Sequence, residues 1–106
     1  MADVAKLIYE GQPTQADTLL YTAGSTGTVV RGIRACNTTG LSASFTLGLN
    51  AGGVMGATTH FYSAFVVLPN AVEDWSGFQF VTGSSTVRAL QGTTAAITLT
   101  ISGIEL

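Results

Sequence analysis

Few side chains in this sequence could take part in catalysis, and their spacing matches no catalytic motif. His60 is the single histidine, and it lies in an aromatic stretch with no carboxylate near it in the sequence. A Ser-His-Asp triad needs a histidine as its base, so such a site would depend on His60. Residues 24–27 (GSTG) do not match the G-x-S-x-G pattern of a nucleophile elbow. We therefore assign no catalytic residue and predict that the chain is not an enzyme.

The motifs that could hold a metal or a cofactor are equally incomplete. Glu73 and Asp74 are the one adjacent acidic pair, whereas calcium needs several oxygen ligands at loop spacing. Cys36 is the single cysteine, which excludes an intrachain disulfide and a cysteine-rich zinc site. Residues 52–56 (GGVMG) are rich in glycine but lack the Lys-Ser/Thr ending of a phosphate-binding loop. The sequence predicts no cofactor and no metal, and Cys36 is expected to pack as a small apolar side chain.

The composition limits the classes of partner. The 106 residues are 46% hydrophobic and 9% charged, with a formal net charge of −2, whereas about 25% charged residues is typical. With so few basic residues there is no positive stripe to bind phosphates, so nucleic-acid binding is not expected. The length predicts one domain, residues 1–106. Its surface must be uncharged polar residues or be covered by other protein.

Neither a membrane span nor a secretion signal is expected from the hydropathy pattern. The longest apolar run, residues 64–68, is far shorter than the roughly 18 residues of a membrane-spanning helix. Residues 1–11 lack the basic start and long apolar stretch of a signal peptide. We expect a chain that is made in a cytoplasm and has no membrane partner.

Alternation of polar and apolar residues dominates the chain, and apolar spacings of three and four are nearly absent. Turn residues separate eight such stretches. This pattern predicts an all-β domain, a two-sheet antiparallel β-sandwich that is Ig-like or jelly-roll-like. The expected strands are residues 5–10, 17–22, 28–37, 43–50, 59–68, 77–81, 86–90 and 96–106.

Three local features carry further expectations about these strands. Residues 37–40 (NTTG) have the turn chemistry of a short hairpin-like loop, which would pair the strands on either side. Gly32 marks a bulge that changes the phase of its strand, because Val29, Arg31 and Ile33 otherwise share a face. A second glycine bulge is expected at Gly103, where the alternation of the last strand slips.

The expected strand 59–68 is apolar on both faces. One face carries His60, Tyr62, Ala64, Val66 and Leu68, and the other carries Phe61, Ser63, Phe65 and Val67. Only one face can point into a two-layer core, so we expect Phe61, Phe65 and Val67 to form a contact surface. The alternative is that residues 70–76, which read as an irregular loop, cover this strand.

Two further segments allow two interpretations each. The glycine-rich residues 50–59 place Val54 and Met55 near a loop tip, where they would contact a partner or fold back onto the end of the sandwich. Trp75 would cap the core, or else would join Tyr62 and Asn70 in a platform that stacks on a carbohydrate or receptor.

The order of segments in the whole chain resembles a known group of proteins. It begins "LIYEGQPT", continues "TLLYTAGSTGTVVRGIRACNTTG" and "FTLGL", and passes through a glycine-rich loop and an aromatic strand ending in Leu-Pro. A Trp-Ser-Gly turn and a closing "ITLTISGIEL" follow. This order is similar to small β-sandwich proteins encoded among the virion genes of tailed bacteriophages, which look like head decoration or minor tail components.

The resemblance and the composition together predict a structural protein of the virion. A capsid decoration protein that cements the head shell is the first interpretation, and a minor tail or tail-fibre component is the second. The expected partners are the chain itself, as a homo-oligomer with a trimer as one option, and the major capsid protein or another virion protein. The interface would contain Phe61, Phe65, Val67, Val54 and Met55. A carbohydrate- or receptor-binding module remains the alternative from another class.

Overall fold

The described part of the chain folds into eight β-strands with very little helix. The computed structural model describes residues 4–52, 55–93 and 95–106, so the predicted contact residue Val54 lies outside the described residues. One short 3-10 turn is formed by Ala57–Thr59. The strands are β1 (Val4–Gly11), β2 (Thr18–Thr22), β3 (Thr28–Asn37), β4 (Ala43–Ala51), β5 (His60–Val67), β6 (Val72–Val81), β7 (Thr86–Gln91) and β8 (Ile97–Glu105).

The strands form two four-stranded sheets that pack face to face. Sheet A has the order β1-β8-β3-β6 and sheet B the order β2-β7-β4-β5, and every pairing is antiparallel. The all-β, two-sheet sandwich predicted from the sequence is confirmed. β1 pairs with β8, β2 with β7, β3 with β6 and β4 with β5, so the first half of the chain runs back along the second half. Of the two architectures expected, this order is the jelly roll.

The hairpin predicted at residues 37–40 is wrong. β3 pairs with β6 and β8, while β4 pairs with β5 and β7, so β3 and β4 lie in opposite sheets. Their connection therefore crosses the sandwich. Asn and Gly favour a turn in either case, and turn chemistry does not determine which sheet the next strand joins.

The loop predicted at residues 70–76 is also wrong, because β6 already begins at Val72. The segment contains Glu73 and Asp74, which are depleted in strands in general. β6 is an edge strand of sheet A, and edge strands accept charged residues because one side of the strand faces water. The other seven strands begin and end within one residue of the predicted positions.

The core lies between the two sheets, where alternate residues of the central strands meet. Phe45, Leu47 and Leu49 of β4 are at most 5% exposed, and the alternate residues of β8 facing them are fully buried. The strict alternation in both strands explains this arrangement, since successive side chains point to opposite faces of a sheet.

The bulge predicted at Gly32 is confirmed. Arg31 is an additional residue in β3 relative to β8, and the register shifts between Val30 and Gly32. This shift brings Val30 and Ile33 into the core while Arg31 remains exposed. A plain alternation would have placed Arg31 on the same face as Ile33.

The bulge predicted at Gly103 is wrong, because β8 runs through this position and the additional residues lie in its two neighbours, Ile8 in β1 and Arg31 in β3. A Cβ at position 103 would overlap the carbonyl of Val29 and the side chain of Ile8. The glycine is thus required by close packing between strands.

Two buried amide side chains hold the crossing connections at one end of the sandwich. Asn37 is fully buried. Its Nδ2 donates to the carbonyls of Leu41 (2.7 Å) and Val67 (3.0 Å), and its Oδ1 accepts from the backbone N–H (3.0 Å) and hydroxyl (2.8 Å) of Thr39. The side chain therefore joins the β3–β4 connection to the end of β5 in the other sheet.

Gln91 has the equivalent role for the neighbouring connections. It is also fully buried. Its Nε2 donates to the Pro13 carbonyl, and its Oε1 accepts from the backbone N–H groups of Ala96 (3.2 Å) and Ile97 (2.8 Å). Backbone groups inside a protein must be hydrogen-bonded, and Gln91 satisfies those of the β1–β2 and β7–β8 connections.

Replacing Asn37 is expected to destabilise the fold strongly. Asn37→Ala removes the donor to the buried Val67 carbonyl and the partners of two part-buried groups, the Leu41 carbonyl and the Thr39 N–H, and a buried polar group without a partner costs about 1–3 kcal/mol. We expect the free energy of unfolding, measured by urea titration, to fall by about 3 kcal/mol. Ser42→Ala, on an exposed residue of the same connection, is the control and should change stability little. Equal losses for the two variants would contradict this role of Asn37.

Candidate interaction surface

β5 does not have the two regular apolar faces that the sequence predicted, because two bulges interrupt the alternation of its side chains. Between Phe45 and Leu47 of β4, one residue faces two of β5, and a further additional residue, Phe61, lies between the partners of Leu47 and Gly48. Phe61 and Tyr62 are consecutive, yet both pack against the core. The expectation that Phe61, Phe65 and Val67 share an outward face is therefore wrong.

The first bulge has a strained backbone. Ala64 has φ +47°, a left-handed conformation that costs a residue with a Cβ about 1–2 kcal/mol. Its backbone N–H donates to Thr46 Oγ1 at 2.9 Å, so a side chain of β4 replaces the missing ladder partner. This strain is maintained because the bulge lets the aromatic residues of β5 turn towards the interior.

The buried aromatic side chains form one connected cluster between the edges of the two sheets. Tyr62 contacts Phe45 with ring centroids 5.0 Å apart, and Phe61 meets Trp75 of β6 edge-to-face at 4.9 Å. A Cβ on Gly77 would overlap the indole of Trp75, so the Trp-Ser-Gly sequence leaves room for that ring. Trp75 packs against the core, as one of its two interpretations predicted, although from a strand. Its ring and that of Tyr62 are both partly buried in this cluster.

The exposed apolar residues are concentrated along one side of the sandwich. We call β5, β6 and the intervening residues 68–71 the β5–β6 edge. In the described part of the chain nine large apolar side chains are exposed, and six of them belong to this edge. They are Phe65 (36%), Val66 (56%), Leu68 (64%), Val72 (48%), Phe78 (70%) and Phe80 (40%).

These six residues form two patches at opposite ends of the edge. Phe65, Val66, Leu68 and Val72 line one shallow apolar groove, which we call the corner patch. Phe78 and Phe80 form the aromatic patch near the other end of β6, where the Phe80 ring lies so close to Gly27 that a Cβ there would overlap it. Between the patches, β6 exposes polar side chains.

Of the contact residues predicted from the sequence, Phe65 alone combines the edge position with substantial exposure. Phe61 is half-buried, and Val67 is 3% exposed and belongs to the core cluster. Val66 and Leu68 had been placed on the core-facing side and instead are exposed. The alternation of Phe78 and Phe80 within the predicted strand 77–81 was a usable signal for the aromatic patch, whereas the expected loop at residues 70–76 hid the exposed position of Val72.

Met55 folds back onto the sandwich, as one of the two interpretations predicted. Its side chain lies against Gly48 on the outer side of sheet B, where a Cβ would overlap the thioether. Its backbone N–H donates to Asp17 Oδ2 at 2.7 Å, and Asp17 Oδ1 accepts from Arg88 Nε at 2.6 Å. Met55 is half-buried and so is not at a free loop tip.

The acidic residues of the β5–β6 edge are Glu73 and Asp74, and one of them forms an ion pair. Asp74 pairs with Arg34 through two hydrogen bonds of 2.8 and 3.3 Å, although both side chains are more than half exposed. Tyr62 donates to Glu73 at 3.4 Å. The pKa of Tyr62 is raised, first because burial disfavours the phenolate and second because Glu73 is negative. The edge therefore presents its apolar patches together with one ion pair and the Glu73 carboxylate, which lines the groove of the corner patch.

No catalytic arrangement is found at the exposed polar residues that the structure describes. His60 Nδ1 lies 3.2 Å from Ser63 Oγ, and its exposed ring has no carboxylate among its hydrogen-bond partners in the described chain. Residues 4–52, 55–93 and 95–106 contain no group of three or more potential metal-ligating side chains. Within the same residues, no helix is long and apolar enough to cross a membrane.

The ion pair below Met55 should be visible in an acid titration. Burial raises the pKa of Asp17, but the Arg88 hydrogen bond, the Met55 N–H and the Arg88 charge together lower it below its ordinary 3.8. Because the folded-state pKa is the lower one, the stability from this carboxylate is present above about pH 4 and is lost as the pH falls further. Carboxyl-carbon NMR should show the pKa of Asp17 rising in Arg88→Met. Arg34→Met, which breaks an exposed pair elsewhere, should leave it unchanged, and the same value in all three proteins would refute the assignment.

Comparison with known proteins assigns no family to this chain: no family model matches it, and no curated protein matches it significantly. The structural features available for a functional argument are therefore the jelly-roll topology, the low charge and the apolar β5–β6 edge.

Proposed function

We propose that this chain is a non-enzymatic structural protein of a tailed-bacteriophage particle, made in the host cytoplasm and incorporated into the virion. In this role it decorates the head shell and stabilises it by contacts with the major capsid protein and with neighbouring copies. The β5–β6 edge is the contact surface. The observation that carries the proposal is the concentration of six exposed apolar side chains on this one edge.

The size of the exposed surface supports association rather than a free monomer. The exposed fractions of the six residues add up to the surface of about three fully exposed residues. At about 1.5–3 kcal/mol for each fully buried Val, Leu or Phe, covering them contributes roughly 5–9 kcal/mol per copy. Association of two free molecules costs about 4–15 kcal/mol. A single contact is thus weak, whereas many copies on a shell add their contacts by multivalency.

The fold and the composition are consistent with this role. Jelly rolls with this strand order are common in viral capsid proteins and also occur in lectins and cupins, so the fold alone does not decide the function. The 9% of charged residues leaves a surface of Ser, Thr, Gly and apolar residues, which tolerates burial against other protein with little desolvation of charge. A minor tail component would use the same surface in the same way.

The test compares head binding of the purified chain and of variants at the corner patch. Val66→Ser combined with Leu68→Ser removes two of the exposed aliphatic side chains without touching the core, so folding should be retained. We expect binding to empty heads of the phage that carries this sequence, measured by co-sedimentation, to weaken at least tenfold, because burying the exposed parts of these two side chains is worth roughly 2–4 kcal/mol.

The matched control is Leu7→Ser combined with Leu19→Ser. These residues are 56% and 50% exposed and lie on β1 and β2, the edge strands at the opposite side of the sandwich. The control variant should bind heads like the unmodified chain. Failure of the unmodified chain to bind heads, or equal loss in both variants, would contradict the proposal.

A further inference from the structure

The exposed residues of β6 have a self-complementary order. Val72 is at the start of the strand, Phe78 and Phe80 are at its end, and Asp74 and Ser76 lie between them, all at alternate positions that face solvent. Residues 72 and 80 are separated by eight positions, or about 26 Å of strand. A two-fold axis near Ser76 would place the Val72 end of one copy against the Phe78–Phe80 end of another.

The corner patch follows the same symmetry. Phe65, Val66 and Leu68 line one groove with Val72, so the two-fold axis that brings Val72 to a second copy's aromatic patch brings the corner patch there as well. In such a contact between identical surfaces, the aromatic patch of each copy packs on the corner patch of the other. The dimer therefore contains two equivalent apolar contacts, one at each end of the paired β6 strands.

The area available matches what such a contact needs. The exposed fractions of Phe65, Phe78 and Phe80 add up to about one and a half side chains, which corresponds to roughly 220–370 Å² at 150–250 Å² for each aromatic residue. Val66, Leu68 and Val72 add to this. A standard interface buries about 800 Å² per partner, of which somewhat more than half is apolar.

The charges in the middle of the edge do not oppose the contact. Asp74 is neutralised by Arg34 of its own chain at 2.8 Å, and the two residues lie side by side on paired strands. With the two-fold axis near Ser76, the two Asp74 residues lie four positions, or about 13 Å, apart along the strand direction, and each is paired with Arg34 of its own chain. Like charges do not face each other without compensation.

The backbone of the edge is unsuited to strand addition, so the side chains must carry the contact. β5 contains two bulges, and β6 has two residues, Gly77 and Phe78, opposite Arg31. The Phe80 carbonyl already accepts from Asn50 Nδ2 at 3.0 Å. Bulges and occupied backbone groups are how edge strands avoid continuous pairing with another sheet.

We infer that the occupant of the β5–β6 edge is a second copy of this chain, held in a two-fold symmetric dimer in which the corner patch of each copy packs on the aromatic patch of the other. This inference rests on the proposed role of the edge as a contact surface. It specifies the partner, the symmetry and the antiparallel orientation of the two β6 strands.

The orientation is tested by mixing two variants that carry opposite charges at opposite ends of β6. Val72→Glu and Phe78→Lys replace side chains that are 48% and 70% exposed, so both variants should fold, which circular dichroism checks. In a homodimer of either variant, a charge lies against an apolar patch at both ends of the contact. We expect sedimentation equilibrium to show dimerisation at least tenfold weaker for each variant than for the unmodified chain. In the mixture the two charges meet at one end, and a heterodimer within a few-fold of the unmodified affinity should form.

Leu19→Glu mixed with Leu7→Lys is the control pair and should dimerise like the unmodified chain, alone or mixed. An unmodified chain that stays monomeric up to about 1 mM, a three-fold oligomer, or a mixture no stronger than its components would each overturn the inference. Head binding is a separate readout. A monomer that still co-sediments with heads would overturn the dimer and leave the proposed function in place, whereas a dimer that ignores heads would do the reverse.

Discussion

The hydrogen bonds of the buried Asn37 side chain are the constraint on which the candidate surface depends. In a jelly roll most connections cross between the sheets, and each crossing carries backbone polar groups past an apolar core. Asn37 binds the carbonyls of Leu41 and Val67, and its own backbone N–H donates to the Ala71 carbonyl at 2.9 Å. One residue thereby fixes the β3–β4 connection and the end of β5 through its side chain, and the turn before β6 through its backbone. The exposed Val66 and Leu68 flank Val67, whose carbonyl is bound by Asn37.

The bulges solve the packing problem posed by a strand that is apolar on both faces. A regular β5 would turn either Phe61 or Tyr62 outward, since adjacent side chains alternate. The additional residues in β5 let both rings pack inside, where Phe61 meets Trp75. The consequence is that Val66 is exposed instead. The exposed apolar area of β5 is therefore smaller than in a regular strand, and it lies at the aliphatic end of the strand, where the corner patch forms.

The sequence predicted most of the fold because alternation reports directly on burial. For this reason the predicted bounds of β3, β4 and β8 are close to the observed ones. The one break in the alternation of β3 correctly indicated the bulge at Gly32. Strand partners were not predictable in the same way, since the turn at 37–40 has the same chemistry whether it closes a hairpin or crosses the sandwich. The anchoring roles of Asn37 and Gln91 were missed because a polar residue at a strand end looks like a turn residue until its burial is known.

Exposed apolar surface was predicted on β5, but of its predicted residues Phe65 alone has that exposure, and the physical reason lies in the edge strands. Burial of a central strand is decided by two flanking neighbours, whereas an edge strand has one, so bulges cost little there and are common. In β5 the bulges change which positions face inward, so that Tyr62 and Val67 both face the interior while Val66 is exposed. The same irregularity prevents continuous backbone pairing along β5 and β6. An edge that displays apolar side chains but resists strand addition favours a partner of defined shape over open-ended aggregation, and this is the property that a repeated building unit requires.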